Sequence, residues 1–163
     1  MPTTYATRHI SPVIFNEGFR YVTPPLAAAQ DFKKGAPALM GVTGTVAEAG
    51  VNPPLILGFF TADADQYDWK DDTLGTVDPA VPVALATHVF RGTLTGTFAA
   101  NDVGSQFGLT EQVGDIWTLD RAKDVASTHH RALVLSVEDG VAVGDINVPV
   151  TFTVLPANRQ AVI

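Results

Sequence analysis

The chain has 163 residues, of which 46% are hydrophobic and 17% are charged, and these values predict one folded domain with its own core. It contains no cysteine, which excludes a disulfide framework, thiolate chemistry and the cysteine-based zinc signatures. The 17 acidic and 10 basic residues give a formal net charge of −7, which argues against nucleic acid as a partner.

The hydropathy pattern contains no run of the roughly 18 apolar residues that a membrane-spanning helix needs. Residues 1–5 contain no basic segment that leads into an apolar run, so no secretory signal is visible. We therefore expect no membrane span and no membrane partner.

Residues 1–30 show no sustained helical or strand period, and their prolines lie at positions 2, 12, 24 and 25. Because proline fixes φ and lacks a backbone donor, this segment is predicted to be extended. Its aromatic residues are Tyr5, Phe15, Phe19 and Tyr21. A frayed terminus is the simpler interpretation. We favour an N-terminal arm that docks on a neighbour through these aromatic anchors, with residues 31–163 as the β domain.

Short apolar or alternating runs, bounded by glycine and proline, predict β-strands after the arm. They occupy residues 38–42, 55–60, 81–86, 89–98, 115–120, 131–137 and 146–155. In the run 89–98 the threonines at 93, 95 and 97 are expected to face solvent. The last run predicts a set of alternating buried side chains, Ile146, Val148, Val150, Phe152 and Val154.

Residues 101–108 are the best helical candidate, because Asn101 is suited to an N-cap and Gly108 to a C-terminal cap. The turn signal Glu138-Asp139-Gly140 separates the last two predicted strands. About seven strands at short spacing with one short helix predict an all-β fold, a compact barrel, β-tulip-like domain or sandwich.

Motifs for catalysis or cofactor binding are missing from the sequence. Neither the phosphate-binding loops nor the Gly-x-Ser-x-Gly elbow occurs. The adjacent residues His129 and His130 would point to opposite faces of a strand, and they favour a solvated loop over a metal site. We therefore expect no enzyme activity, no catalytic residues, no cofactor and no metal.

The acidic segment 63–72 carries carboxylates of the kind that bind calcium or magnesium. It lacks the glycine and the glutamate that the EF-hand pattern requires, so a solvated loop is the favoured interpretation and a cation site the alternative. Trp69 and Trp117 could act as sugar platforms beside paired carboxylates.

Five segments of the second half occur in a distinctive order, and two segments of the first half accompany them. They are Val89–Leu94, Asn101–Thr110, Trp117–Asp120, Arg131–Leu135 and Gly144–Asn147, with Phe32–Ala36 and Ile56–Phe59. Together they resemble the capsid decoration, or cement, proteins of tailed bacteriophages. The resemblance covers roughly residues 30–155 and leaves the acidic residues 63–78 unmatched.

The resemblance implies a β-barrel or β-tulip-like domain that binds the outer surface of an assembled phage head and stabilises it. The partners would be the major capsid protein and neighbouring decoration subunits, often in a homotrimer, without a reaction or a cofactor. The protein would be made in the host cytoplasm and would end in the virion. In that family the N-terminal arm reaches a neighbour, which corresponds here to residues 1–30.

Two other interpretations remain open at this point. One is another structural β module of a phage, such as a tail or head-completion protein. The other is a small β-fold carbohydrate-binding domain or enzyme, which would need a cleft that holds Trp69 or Trp117 beside carboxylates.

Overall fold

The computed structural model describes residues 1–13, 21–27, 30–50, 53–64, 83–123 and 129–160. No helix in these residues reaches seven residues, and the all-β fold predicted from the sequence is confirmed. The strands are β1 (Ser11–Pro12), β2 (Tyr21–Val22), β3 (Pro37–Met40), β4 (Val46–Glu48), β5 (Gly58–Phe60), β6 (Val83–Leu85), β7 (Val89–Thr97), β8 (Gln106–Gln112), β9 (Ile116–Asp120), β10 (Ala132–Val137) and β11 (Ile146–Val154).

The larger sheet has the order β1-β7-β11-β10-β8-β9. Strand β9 also pairs in parallel with β7, through Leu94 and Leu119, which closes β7, β11, β10, β8 and β9 into a barrel. The long central pair is antiparallel, and it sets Phe152 of β11 opposite Phe90 of β7. Closure removes the free edges that would otherwise pair with other chains.

The smaller sheet has the order β2-β6-β5-β3-β4, and its pairs are antiparallel. Its central strand β5 points Phe59 into the barrel strands, with ring centroids 4.6 Å from Phe90 and 6.0 Å from Phe152. These rings belong to one buried cluster that draws residues from both sheets. The two sheets therefore share a single hydrophobic core.

Polar contacts from Arg131 and from the chain's last described residues also join the barrel to β3 and to the segment that precedes β5. Arg131, at the start of β10, donates from Nε to the carbonyl of Pro53. The Asn158 amide donates to the carbonyl of Pro54 at 2.9 Å. Gln160 exchanges two hydrogen bonds of 2.8 Å with the backbone of Met40 in β3. The end of the barrel sequence is thus tied to the smaller sheet.

The predicted helix over residues 101–108 is wrong. A single 3-10 turn occupies Ala100–Asp102, and β8 begins at Gln106. Gly104 has φ of +87°, which ends helical geometry after one turn. Phe107 and Leu109 then alternate toward the barrel core, so burial of these two side chains favours a strand.

Two details of the predicted strand faces differ from the structure. Thr93 is fully buried instead of solvent-facing, because residues 3–13 cross the barrel over it. In β11 the predicted residues Val148, Val150, Phe152 and Val154 are buried, but Pro149 on the opposite face is buried too and Ile146 is only half-buried. The register shifts beside Ile146, where Asn147 has a positive φ of 56°.

The turn predicted at Glu138-Asp139-Gly140 is confirmed, with Gly140 at φ of +88° between β10 and β11. Among the described residues, no helix has the length and apolar character needed to cross a membrane.

Candidate functional site

Residues 3–13, here called the N-terminal strap, lie across the outside of the barrel. At one end the strap runs parallel to the start of β11, where Tyr5 N donates to the Ile146 carbonyl at 2.9 Å and Ile146 N donates to the Thr3 carbonyl at 2.8 Å. In the middle Arg8 N donates to Thr93 Oγ1 at 3.0 Å. The strap therefore satisfies the hydroxyl of a threonine that it buries.

At its other end the strap becomes strand β1, which pairs with the first half of β7. Ile10, just before β1, is 2% exposed and belongs to the shared core. Gly35 lies against its backbone: a Cβ at Gly35 would be 2.7 Å from Ile10 N and 2.8 Å from Ile10 O. The strap is thus held between the barrel and the chain that leads into β3.

Asp145 anchors the beginning of the strap. Its buried carboxylate accepts hydrogen bonds from Ala142 N at 2.9 Å and Thr3 N at 2.8 Å. These backbone donors lower the pKa of Asp145, and Tyr5 OH contributes a longer contact of 3.4 Å. Burial and the adjacent Asp145 charge raise the pKa of Tyr5. At neutral pH Asp145 is therefore ionised and Tyr5 is protonated.

The structure places two of the predicted arm anchors. Tyr5 is half-buried and packs against the core beside Asp145. Tyr21 lies in β2 and pairs through its backbone with Ala84. Phe15 and Phe19 lie outside the described residues. Tyr5 thus packs on its own barrel, and Tyr21 is placed by its backbone alone. Contact of residues 1–30 with a neighbouring subunit stays a prediction.

Trp117 and Glu48 form a contact that sequence reasoning missed. Trp117 is 1% exposed, and its indole Nε1 donates to Glu48 Oε1 at 3.0 Å. Burial raises the pKa of Glu48. The indole bond lowers it, and the charges of Glu111 and Asp115 raise it further. Trp117 is therefore a core residue and offers no exposed platform for a sugar. Trp69 lies outside the described residues.

A polar cleft of about 360 Å³ lies at the start of β8. It is lined by Asn101, Asp102, Gly104, Ser105, Gln106, Phe107, Arg121 and His130. Arg121 directly follows β9, and His130 lies two residues before β10. The 3-10 turn and Gly104 supply the remaining wall.

The polar cleft brings a serine, a histidine and an aspartate together, but their bonds are not those of a nucleophilic triad. Ser105 Oγ donates to the Asn101 carbonyl at 2.5 Å. Asp102 Oδ2 accepts from Ala99 N at 2.7 Å and from the Arg121 guanidinium. A triad requires the serine to reach the imidazole and the carboxylate to orient it. The described bonds direct both groups elsewhere.

Other residues considered from the sequence are placed only in part. His129 and His130 lie before β10 and outside any strand, as a loop predicts, and both are half-buried. Of the acidic segment 63–72 the structure describes Asp63, whose Oδ1 accepts from Lys34 N at 2.7 Å, and the buried Ala64. In the described part of the chain no group of three His, Cys, Asp or Glu residues could hold a metal ion.

The Asp102–Arg121 pair has no signal in the sequence. The two residues are 19 positions apart, on a turn and after a strand, and only the barrel register brings them together. From the sequence alone, Asp102 is expected to interact with the N-terminus of a helix. It does cap the 3-10 turn through Ala99 N, but its second bond depends on the tertiary fold.

Comparison with known proteins adds no relative. The sequence matches no protein-family model, no curated protein and no solved structure.

Proposed function

We propose that the protein is a capsid decoration protein, which binds the outer surface of an assembled bacteriophage head and stabilises it. The observation that carries the proposal is where the resembling segments fall in the fold. Val89–Leu94 lies in β7, Trp117–Asp120 in β9 and Arg131–Leu135 mostly in β10. Asn101–Thr110 spans the turn and the start of β8, and Gly144–Asn147 leads into β11. The resemblance thus runs through every strand of the closed barrel.

Protected sheet edges support a role at high local density. The outer side of β4 is covered by the preceding chain, because Val46 N donates to the Pro25 carbonyl and Ala27 N donates to the Val46 carbonyl, each at 2.8 Å. Glu48 N donates to Gln30 Oε1 at 2.9 Å. Copies crowded on a shell would otherwise associate through such an edge.

The charge of the chain supports an outer position. With a net charge of −7 it is repelled by DNA, which suits the outside of a DNA-filled shell. The mechanism is linkage: a protein that binds the assembled lattice and not its free subunits stabilises the lattice by RT ln(1 + [L]/Kd). This is about 2.7 kcal/mol per site at a free concentration of 100 times Kd.

The strap changes which part of the chain is proposed to bind. Ile10 and Asp145 hold residues 3–13 on their own barrel, so the backbone of this stretch is already engaged there. We propose that capsid contacts are made by the assembled fold, with the strap in place, and that neighbouring subunits form a homotrimer.

Copy number in purified particles tests the proposal. Particles of the phage that encodes the chain are purified, and the protein is quantified by gel densitometry against the major capsid protein. Hundreds of copies per particle are expected. A handful of copies, or a single ring, would favour a tail or head-completion protein, and absence from the particles would overturn the proposal.

Addition to particles that lack the protein provides a second readout. Decoration predicts saturable binding and a higher temperature of DNA release from the heads, because the bound protein stabilises only the assembled lattice. Light scattering of the free protein is expected to give three times the mass of one chain. Saturable binding without stabilisation would contradict the cementing role.

A further inference from the structure

We propose that the polar cleft binds a carboxylate group. The inference concerns the free protein in solution and does not depend on a role in the capsid. The cleft is concave and measures about 360 Å³, at the lower end of the range of small-ligand sites. Its volume suits a carboxylate on a short chain, either on a free dicarboxylic acid or on an acidic side chain of another protein.

Arg121 is the group expected to receive the carboxylate. One guanidinium nitrogen, Nη1, donates to the buried carboxylate of Asp102, which is itself fixed by Ala99 N at 2.7 Å. The stem of Arg121 packs on Gly96, where an added Cβ would lie 3.2 Å from Arg121 Cδ. The guanidinium is therefore oriented before any ligand arrives.

The rest of the Arg121 fork is available. Its side chain is 30% exposed, and within the described part of the chain Nε and Nη2 make no hydrogen bond. A planar guanidinium with two free parallel donors matches the two oxygens of a carboxylate. Because Arg121 lines the cleft, we expect these two donors to be the ones that a ligand in the cleft would meet.

The surrounding side chains are consistent with an acceptor-only ligand. Asn101 and Gln106 line the same cleft, are exposed and make no side-chain hydrogen bond to other described residues. Each amide offers two N–H donors, whereas an ionised carboxylate offers only acceptors. Asp102, the acidic residue of the lining, has its charge balanced by Arg121. The charges of Asp102 and Arg121 therefore cancel, and the N–H groups of Arg121, Asn101 and Gln106 remain as donors for a carboxylate.

Nuclear magnetic resonance titration of the whole chain tests the proposal. Glutarate is added at constant ionic strength, and the backbone amides of residues 101–107 and 121 are followed. Saturable shifts confined to these amides are expected. Glutaramide, which has the same shape without the carboxylates, is expected to produce none. Equal shifts with both compounds, or glutarate shifts that do not saturate by 100 mM, would overturn the proposal.

Matched variants separate the cleft from general electrostatics. Arg121→Gln should weaken glutarate binding by at least about tenfold, because it removes the bidentate donor. Arg91→Gln removes the same charge from an exposed position on β7 outside the cleft and should leave binding unchanged. Equal affinities of the two variants would contradict the assignment.

A second variant guards against misfolding of Arg121→Gln. Gln106→Glu leaves the Asp102–Arg121 pair intact and adds a repelling carboxylate to the cleft, so it should also lose binding. Gln112→Glu makes the same change at the far end of β8, and its binding should equal that of the wild type. Unchanged binding in Gln106→Glu would count against the site.

The two possible sources of the carboxylate are compared with the same assay. The second probe is a capped peptide, acetyl-Ala-Glu-Ala-amide, whose only carboxylate is a side chain. Tighter binding of the peptide than of glutarate assigns the cleft to a protein partner, and binding of glutarate alone assigns it to a small acid. Binding of neither probe overturns the proposal.

Discussion

Glu48 holds its carboxylate against the indole of Trp117 in a region where Glu111 and Asp115 add negative charge. Burial is the largest effect on this carboxyl, and it raises the pKa of Glu48 in the folded state. The folded protein therefore holds this proton more tightly than the unfolded chain does. The stability contributed by the protonated group is present below the unfolded pKa and is lost as pH rises through the folded pKa.

Glu48→Gln is therefore expected to stabilise the protein at pH 7. Glutamine keeps an oxygen that accepts from Trp117 Nε1 and removes the partly buried charge. The melting temperature should rise by about 1–3 °C, since the group is only partly buried and solvent screens the effect. Below about pH 4 the wild-type carboxyl is protonated and the difference should disappear.

Asp139→Asn is the control for this prediction, because it changes the net charge equally at an exposed turn residue. Thermal melts of both variants and the wild type at pH 7 and pH 3.5 make the comparison. A lower melting temperature for Glu48→Gln at pH 7 would show that the charged hydrogen bond to the indole outweighs burial.

Side-chain burial on the strands was predictable where one face meets the core. Val148, Val150 and Phe152 are buried as their alternation predicts. Thr93 was not predictable, because its burial is caused by Arg8, which lies 85 residues earlier in the chain. The alternation within a strand predicts which of its two faces meets the core. It does not predict that a distant segment covers the outer face.

The strap is the element whose structure most changes the picture formed from the sequence. The prolines of residues 1–30 predict extended chain, and the strap is indeed extended along β11 and β7. Composition could not show which partner the segment pairs with, because the backbone groups of an extended segment pair equally well with its own sheet or with another chain. In the described residues the strap pairs with its own barrel, because Asp145 binds Thr3 N and Gly35 packs against the backbone of Ile10.

Gly35→Ala tests how firmly the strap is held. At φ of +84° any side chain is strained, and the added Cβ would also lie 2.7 Å from Ile10 N. Gly114→Ala is the matched control, because Gly114 has φ of +88° and no atom within 4 Å of an added Cβ. We expect Gly114→Ala to lose about 1–2 kcal/mol from backbone strain alone.

Gly35→Ala should lose at least about 2 kcal/mol more than this control, since the backbone of Ile10 must move out of the core. Chemical denaturation of both variants measures the difference in the free energy of unfolding. Equal losses would mean that the strap shifts without cost, and the predicted docking of residues 1–30 on a neighbour would gain support.

At the scale of the whole molecule, the all-β class and most strand positions could be predicted, whereas the pairing of the strands could not. Leu55–Phe60 reads as a buried strand in sequence, and Gly58–Phe60 forms β5. Nothing in that run indicates that Phe59 packs on Phe90 and Phe152 of the barrel. Such pairings depend on the register between segments about 30 and 90 residues apart, which local periodicity does not encode.

The shared core has a consequence for how the molecule unfolds. Phe59 is 1% exposed and contacts the barrel rings, and Arg131 and Asn158 tie the barrel sequence to Pro53 and Pro54. Neither sheet can expose its inner face without exposing the other's. The two sheets are therefore expected to unfold in one cooperative transition.

Phe59→Ala tests this expectation from the smaller sheet. Loss of a buried phenylalanine should cost about 3–5 kcal/mol, and the barrel should be destabilised by the same amount as the sheet that carries the mutation. Native-state hydrogen exchange of amides in β3 and β11 measures the two separately. Val42→Ala, at a fully exposed turn position, is the control and should change neither. If the β3 amides lost protection while those of β11 kept it, the smaller sheet would be an independent unit. The shared aromatic cluster would then be a contact between two units, each with its own stability.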